Sequence, residues 1–440
     1  MTTSEQLSSV SGSSRAPWRA GPFGSALVGL VAVGLTLGVA ELLSALGRWI
    51  GLLGTSSSPF VALGQTFIQF TPEWLKELAI RTFGQHDKDA LTAGMGLTLL
   101  VVAVGIGLLN RRSPRLASAV TAVLVAVAGA AVLTRPGADV FDLLPLLIGG
   151  LAGASFLVLV ARRSTGVDVD PRGPEPPGAD RRRFLRLVGA GALVAVAAGA
   201  AARLIPGAAD VADSRRRVAL PVAADPQTVD VDAVALSVPG LSPFVTANTD
   251  FYRVDTAFAV PRLTTQDWQL RVHGAVEREI VIAFDELLAL PSVQRMITLT
   301  CVSNEVGGKL AGNARWQGAR LADVLALAGP QAGADCVLST SVDGFTVTTP
   351  LAALTDGRDA LLAYAMNGEP LPVEHGFPVR MVVPGLYGYV SATKWVVDLE
   401  IARFADVTAY WTQRGWAPQA PIKTASRIDV PAGFAQLSPG

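Results

Sequence analysis
The chain has 440 residues, in which 36 Lys and Arg are matched by 36 Asp and Glu, and half of its positions are hydrophobic, with a mean hydropathy of +0.42. That balance is too apolar for an ordinary soluble protein and the length is enough for two or three domains, so part of the chain belongs in lipid. The basic residues are scattered and the net charge is zero, which excludes nucleic acid as a partner, and the two cysteines, Cys301 and Cys336, lack CxxC or zinc spacing and read as reduced thiols.

Residues 1–23 are polar and rich in Ser and Gly, with Arg15 and Arg19 as their main charges, and read as a disordered cytoplasmic start. Residues 24–163 hold four apolar runs, Ser25–Leu46, Leu91–Leu109, Ala117–Leu133 and Leu143–Val160. Each has about the 17 to 25 residues that a spanning helix requires. Arg111, Arg112 and Arg115 lie between the second and third runs and Arg162 and Arg163 follow the fourth, whereas the connection between the third and fourth sets Arg135 against Asp139 and Asp142. Retention of basic loops on the cytoplasmic side therefore predicts both ends of this unit inside. Gly34, Gly38, Gly105, Gly107 and the glycines at 149, 150 and 153 offer surfaces for close helix contact. Phe60–Phe83 is amphipathic, with a helix start at Thr71 and Pro72, and is expected to lie on the outer membrane surface. Glu41 is either an interfacial carboxylate or an intramembrane one with a function.

Residues 164–206 begin as a Pro-, Gly- and Asp-rich linker and continue into Arg181-Arg182-Arg183-Phe184-Leu185-Arg186 and a fifth apolar run, Leu187–Leu204. A basic cluster before a helix already satisfies charge-based sorting. The order of the residues also resembles the twin-arginine export signal, with Asp180 where Ser or Thr is usual. That resemblance implies that the part after Leu204 crosses the membrane folded, as a cofactor loaded in the cytoplasm requires.

Residues 207–239 read as a second linker, 240–412 as an extracytoplasmic domain and 413–440 as a tail. Strand-like runs occur at Trp268–Val272, Ile280–Ala283, Met296–Thr300, Val337–Thr340, Phe345–Thr349, Arg380–Val383 and Trp395–Ile401, with helical spacing at Phe284–Leu290 and Leu321–Leu327. This irregular mixture predicts an α+β domain behind a bundle of about five membrane helices.

The run through Ile297, Thr298 and Thr300 delivers Cys301 to a loop that holds Gly307, Gly308 and Gly312. By spacing alone Cys301 is either a small buried filler or a thiol presented at a rim. Thr298-Leu299-Thr300-Cys301 followed by Gly312-Asn313-x-x-Trp316-x-Gly318 resembles the cofactor loop of the sulfite oxidase family of molybdenum enzymes, and the resemblance runs from about Asn248 to Val430. It implies a sulfite-oxidase-like molybdopterin-binding domain in which the thiolate of Cys301 binds molybdenum beside the pterin. His375-Gly376-Phe377-Pro378-Val379-Arg380 matches the family's phosphate segment, and Ser391, Lys394 and Trp395 match a later loop with one extra residue between serine and lysine. His375, Arg380 and Lys394 are thereby assigned to the phosphate end of the cofactor, Asn248, Asp250, Phe251 and Tyr252 to the pterin, and Arg253 to the substrate. Asn304 and Asn313 either bond the pterin edges or cap turns.

Two departures bear on substrate. Glu305 and Val306 stand where sulfite-oxidising members have two arginines, and Trp416 stands where an active-site tyrosine is expected. A dianion is then bound poorly unless Arg253, Arg315 or Arg414 compensates, which favours oxygen-atom transfer on a small sulfur-oxo compound at the extracytoplasmic membrane face. The alternatives are a sulfite dehydrogenase of the same family and, from another class, a non-catalytic membrane scaffold or ligand-binding protein. Only His86, His273 and His375 occur, none within a spanning run, and no haem attachment or iron–sulfur spacing is present, so a separate electron-transfer partner is implied, a cytochrome or a quinone-linked protein. Residues from Pro421 to Pro431 resemble the lead into an immunoglobulin-like dimerisation domain, yet the chain is expected to be a monomer.

Overall fold
A computed structural model describes residues 21–431 apart from 51, 55–56, 73, 76–77, 79–81, 83–86, 136–137, 165–178, 206–207, 228, 237, 306, 427 and 429. The expected start at 1–20, most of the first linker, Val306 and the last residues of the tail lie outside the described residues.

Helices α1 (Pro22–Trp49), α2 (Pro59–Phe70), α3 (Asp87–Arg112), α4 (Pro114–Leu133), α5 (Leu144–Ser164) and α6 (Ala179–Leu204) form the N-terminal part. Five of them, all but α2, are long and apolar enough to cross a membrane. α1 packs against α3, α5 and α6, and Val31, Leu35, Ile106, Phe156, Leu157 and Val188 meet between them. The helices approach at backbone contact where α1 crosses α3. A Cβ added to Gly107 would lie 2.0 Å from the Ser25 carbonyl oxygen, while Gly105, one of the expected contact glycines, faces open space.

α2 starts at Pro59 and ends at Phe70, so the expected helix start at Thr71 falls at its end. Ser58 caps its start by accepting from Val61 N, and Glu41, about two turns before the end of α1, accepts from Ser58 Oγ at 2.8 Å and from Phe60 N at 2.9 Å. Glu41 thus anchors the start of α2, and Thr71 closes the helix, its hydroxyl donating to Phe67 O at 2.6 Å. Much of the stretch from there to Phe83 lies outside the described residues.

α7 (Ala208–Arg217) follows α6 directly and is docked on the domain, an element the linker reading passes over. Ser214 and Val211 are buried, Ser214 Oγ accepts from Thr265 N at 3.0 Å, and Arg215 donates to the carbonyls of Pro370 and Leu371 at 2.7 and 2.8 Å. Polar composition hides a helix whose cohesion is tertiary.

The domain has two sheets. The first runs β1 (Asp225–Pro226), β4 (Ser292–Thr300), β5 (Ala311–Arg320), β8 (Leu361–Met366) and β10 (Arg380–Val382), with β9 (Glu369–Pro370) on β8; the second runs β3 (Ile280–Ala283), β2 (Gln269–Gly274), β11 (Val396–Ala402), β6 (Cys336–Ser341) and β7 (Thr346–Pro350). Helices α8 (Phe284–Ala289), α9 (Leu321–Ala328) and α10 (Leu351–Thr355) connect them, which gives the expected α+β class. The sheets share a core that includes Trp268, Leu270, Leu325, Val337, Leu362, Tyr364 and Leu399. The other face of the first sheet carries Leu299, Trp316, Ala363 and Phe377 with Phe251 over them. β8 is therefore buried on both faces, which is why it reads as an unbroken apolar run rather than an alternating one.

β5 corrects the loop reading of Gly312. Leu299 pairs with Gly312 and Thr300 with Ala311, so the chain is back in a strand before the glycine. The Phe251 ring requires glycine there, because a Cβ on Gly312 would lie 2.5 Å from it. The connecting loop is only Cys301–Leu310.

Candidate active site
Cys301 is the first residue after β4. Its N–H donates to Leu310 O at 2.9 Å, which holds the loop closed at its base and leaves the thiol half-buried at the strand end. Both cysteines are free. Cys336 lies buried in β6, and burial, with Asp335 beside it, pushes its thiol up to about 12.

An aromatic stack builds the wall next to Cys301. Phe251 lies on Tyr252 with ring centroids 5.2 Å apart and meets Trp316 and His375 edge-on at 5.7 and 5.6 Å. Tyr252 is within electrostatic reach of both Cys301 and Arg380, and burial holds its phenol well above the usual range, so it keeps its proton.

The charged groups follow from β10 and from the loop before β11. Arg380 is buried, its guanidinium 5.0 Å over the Trp316 ring, and it donates to His375 O at 3.0 Å and to Met381 O at 3.4 Å. Among the described residues it reaches no carboxylate, and burial lowers it to about 10. Lys394 Nζ lies 2.6 Å from Asp255, which in turn lies 2.8 Å from Arg253 Nε. Burial brings Lys394 down to about 8 in spite of that carboxylate, and Arg380 and Arg253 press it in the same direction. His375 is brought to about 4, chiefly by burial and then by Arg380, so it is a neutral imidazole at pH 7 whose Nε2 donates to Asn248 O at 3.1 Å. Gly376 closes the turn that carries His375 at φ +111°, and a Cβ there would come within 3.0 Å of Arg380 and 3.2 Å of Lys394. Only glycine lets these two cations approach across it.

The structure thus brings together Cys301, Phe251, Tyr252, His375 and Arg380, with Lys394 and Arg253 joined through Asp255. Asn248 supports them from behind, its side chain bonded to Glu369 at 2.5 Å and to Asn367 at 2.8 Å. Four expected residues are engaged elsewhere. Asn304 Oδ1 accepts from Leu310 N at 2.8 Å inside the cysteine loop, Asn313 Nδ2 donates to Phe244 O at 2.8 Å, Ser391 Oγ donates to Tyr387 O at 2.9 Å, and Asp250 is exposed with its partner Thr249. Asp255 is the member of the group that sequence reasoning misses, and its only signal there is its place two residues after Arg253.

These residues fit an anionic, thiol-bound cofactor. Arg380, a buried cation that contacts no carboxylate among the described residues, suits a phosphate-bearing ligand with several acceptors. Among the described residues no three His, Cys, Asp or Glu side chains gather to hold a metal ion.

Residues 257–411 match the oxidoreductase molybdopterin binding domain family. The uncharacterized oxidoreductase YuiH of Bacillus subtilis (strain 168) is 34% identical over 149 residues, which is 34% of this chain and 72% of that protein. Mitochondrial sulfite oxidase of Homo sapiens is 32% identical over 218 residues, 43% of this chain and 39% of that one, and the Drosophila melanogaster protein of the same name is 30% identical over 210 residues, 42% and 36%. The chain therefore spans well under half the length of either sulfite oxidase. None of these alignments accounts for the rest of the chain, about half of it or more.

Proposed function
Because this chain belongs to the sulfite-oxidase-like family of molybdopterin-binding oxidoreductases, we propose that it performs oxygen-atom transfer on a small, neutral sulfur-oxo compound, at the extracytoplasmic face of a membrane. The observation that carries the reading is the placing of the Cys301 thiol and the buried cations Arg380 and Lys394 around the protonated Tyr252 and the neutral His375.

When bound, the molybdenum–pterin group supplies two-electron oxygen-atom transfer. Cys301 holds the metal, Arg380 and Lys394 the phosphate, and the Phe251 ring packs the pterin side. Tyr252, a phenol that stays protonated, offers its O–H to a substrate oxygen and so orients and polarises it. Arg253 flanks this position, but its guanidinium is already bonded to Asp255, and Glu305 is exposed on the cysteine loop. Less positive charge is left for a dianion, which supports a neutral S-oxide over sulfite.

The membrane side is supported by three features. The last turns of α1 carry Glu41, which anchors α2, α4 ends next to Arg135, which donates to Asp343 O of the domain at 3.1 Å, and the docked α7 follows α6 in the chain. The arginine-rich loops at Arg111–Arg115 and Arg162–Arg163 belong to the opposite helix ends, the side that positive charge retains in the cytoplasm. Electrons come from a separate partner.

Elemental analysis after co-expression of pterin synthesis tests the reading. The expected result is one molybdenum per chain, lost in Cys301→Ser, with turnover of dimethyl sulfoxide by a reduced dye exceeding oxidation of sulfite. Molybdenum-free protein under these conditions supports the scaffold instead.

A further inference from the structure
Between the membrane helices and the domain lies a contact that nothing in the catalytic reading uses. Gln65, on α2, is buried, its Nε2 donates to Thr256 O at 3.1 Å, and its Oε1 accepts from Phe258 N at 2.8 Å. One side-chain amide thus brackets a backbone segment as a neighbouring strand would. The Phe258 ring lies edge-on to Phe60 at 5.7 Å and fills the space left by Gly64, where a Cβ would be 2.6 Å from it. Arg135 makes a second bridge, from Thr66 Oγ1 at 2.9 Å to Asp343 O at 3.1 Å.

The held segment matters because of what precedes it. Asp255 is the residue next to Thr256, and its carboxylate joins Lys394 to Arg253. This stretch lies outside the domain's strands: Phe251 is packed in the core, β2 starts only at Gln269, and Val254 and Arg253 are exposed. Asp255 moves with Thr256, so the contact that fixes Thr256 also fixes where this carboxylate meets Lys394.

We infer that Gln65 is a positioning residue, through which the membrane-embedded part fixes the Arg253–Asp255–Lys394 array beside the catalytic centre. The inference rests on the oxygen-atom-transfer reading for its kinetic consequence, but not for its structural one. The leading helices then have a role in the site itself in addition to anchoring.

The full chain in detergent, loaded with molybdenum, is the material for the test, with Gln65→Met as an isosteric variant that removes both hydrogen bonds and Gln65→Glu as one that keeps the acceptor for Phe258 N. Amide hydrogen exchange of peptides covering 251–260 is expected to quicken at least tenfold in both variants, since the glutamate sets a buried carboxylate oxygen against the Thr256 carbonyl, with exchange in β4 and β5 unchanged. Molybdenum content is expected to stay at the wild-type level, KM for dimethyl sulfoxide to rise at least fivefold, and kcat to stay within twofold. A general loss of fold would instead lower molybdenum and kcat together, and that result overturns the positioning role. Unchanged exchange at 251–260 also overturns it. If wild-type protein binds no molybdenum or turns over no S-oxide, the functional reading fails while the exchange result still decides whether Gln65 holds the segment.

Discussion

Lys394 and Asp255, 139 residues apart in sequence, meet at 2.6 Å with both side chains almost wholly buried. The pair does not neutralise the site, since Arg253 shares the same carboxylate and Arg380 stands by without one. A buried ion pair of this kind is weak evidence for stability and better evidence for a poised charge.

The first prediction follows from the pKa of Lys394, near 8 when folded against an ordinary 10.5. Between those values the unfolded chain binds more protons, so this group's contribution makes stability rise with pH across the window, and its cost, roughly 3 kcal/mol from the size of the shift, is full below the folded value. A bound phosphate restores the charge and takes up a proton above pH 8, so phosphate affinity falls as pH rises. Thermal unfolding of cofactor-free protein with inorganic phosphate, at about pH 7 and about pH 9.5, is expected to show the larger stabilisation at the lower pH. Lys394→Met removes the difference, and equal stabilisation at both pH values would count against the assignment.

The two cysteines should separate cleanly. Cys301→Ser keeps the fold and abolishes redox turnover, because a hydroxyl is a poor replacement for a thiolate ligand. Cys336→Ser keeps molybdenum and turnover and loses roughly 1 kcal/mol of stability, the cost of placing a hydroxyl in a buried strand position. Elemental analysis, dye-linked assays and thermal melts report all three quantities. Wild-type turnover in Cys301→Ser ends the molybdenum reading.

Charge on the cysteine loop is expected to set the preference between substrates. Glu305 is exposed, so Glu305→Arg acts mainly through capture of an anion and should raise kcat/KM for sulfite roughly threefold or more, with little change for dimethyl sulfoxide. The gain should shrink at high ionic strength. Fast oxidation of micromolar sulfite by the unmodified protein would mean that other cations already serve the dianion.

Export is open to a charge-conserving test. Arg181 and Arg182 are exposed at the start of α6, so Arg181→Lys with Arg182→Lys leaves the local charge and the helix intact. The leading helices should still insert while the domain stays inside, as read by protease protection of the 240–412 region. Normal exposure of the domain in this double variant would reduce the motif to ordinary positive-inside charge.

What is legible in the sequence is what depends on local pattern. The five apolar helices declare themselves through length and composition, and β4 through its β-branched approach to Cys301. What is hidden depends on neighbours distant in sequence. Gly312 reads as a loop residue and Gly318 only as a motif position, yet each is in β5 because a tertiary neighbour needs the space. For Gly312 that neighbour is the Phe251 ring, and for Gly318 it is the Leu362 carbonyl, whose oxygen would lie 2.1 Å from any Cβ placed there. α7 reads as a linker because charges dominate its composition, whereas Arg215 is spent on two carbonyls and Glu369. Within the site, Cys301, Arg380 and Lys394 stand out through motif resemblance, but Asp255 has no motif, and its pairing with Lys394 is fixed only by the fold.

A body hung from a single tether swings, and α6 running into α7 is one such tether. The contact of α2 and Arg135 with the domain is a second, off the axis of the first, and two attachments remove the rotation that one allows. With the helices in a bilayer, the height and tilt of Cys301 relative to the lipid are then confined more narrowly than one tether allows. On the proposed reading, the electron donor would meet a gap whose width the domain's swing does not set.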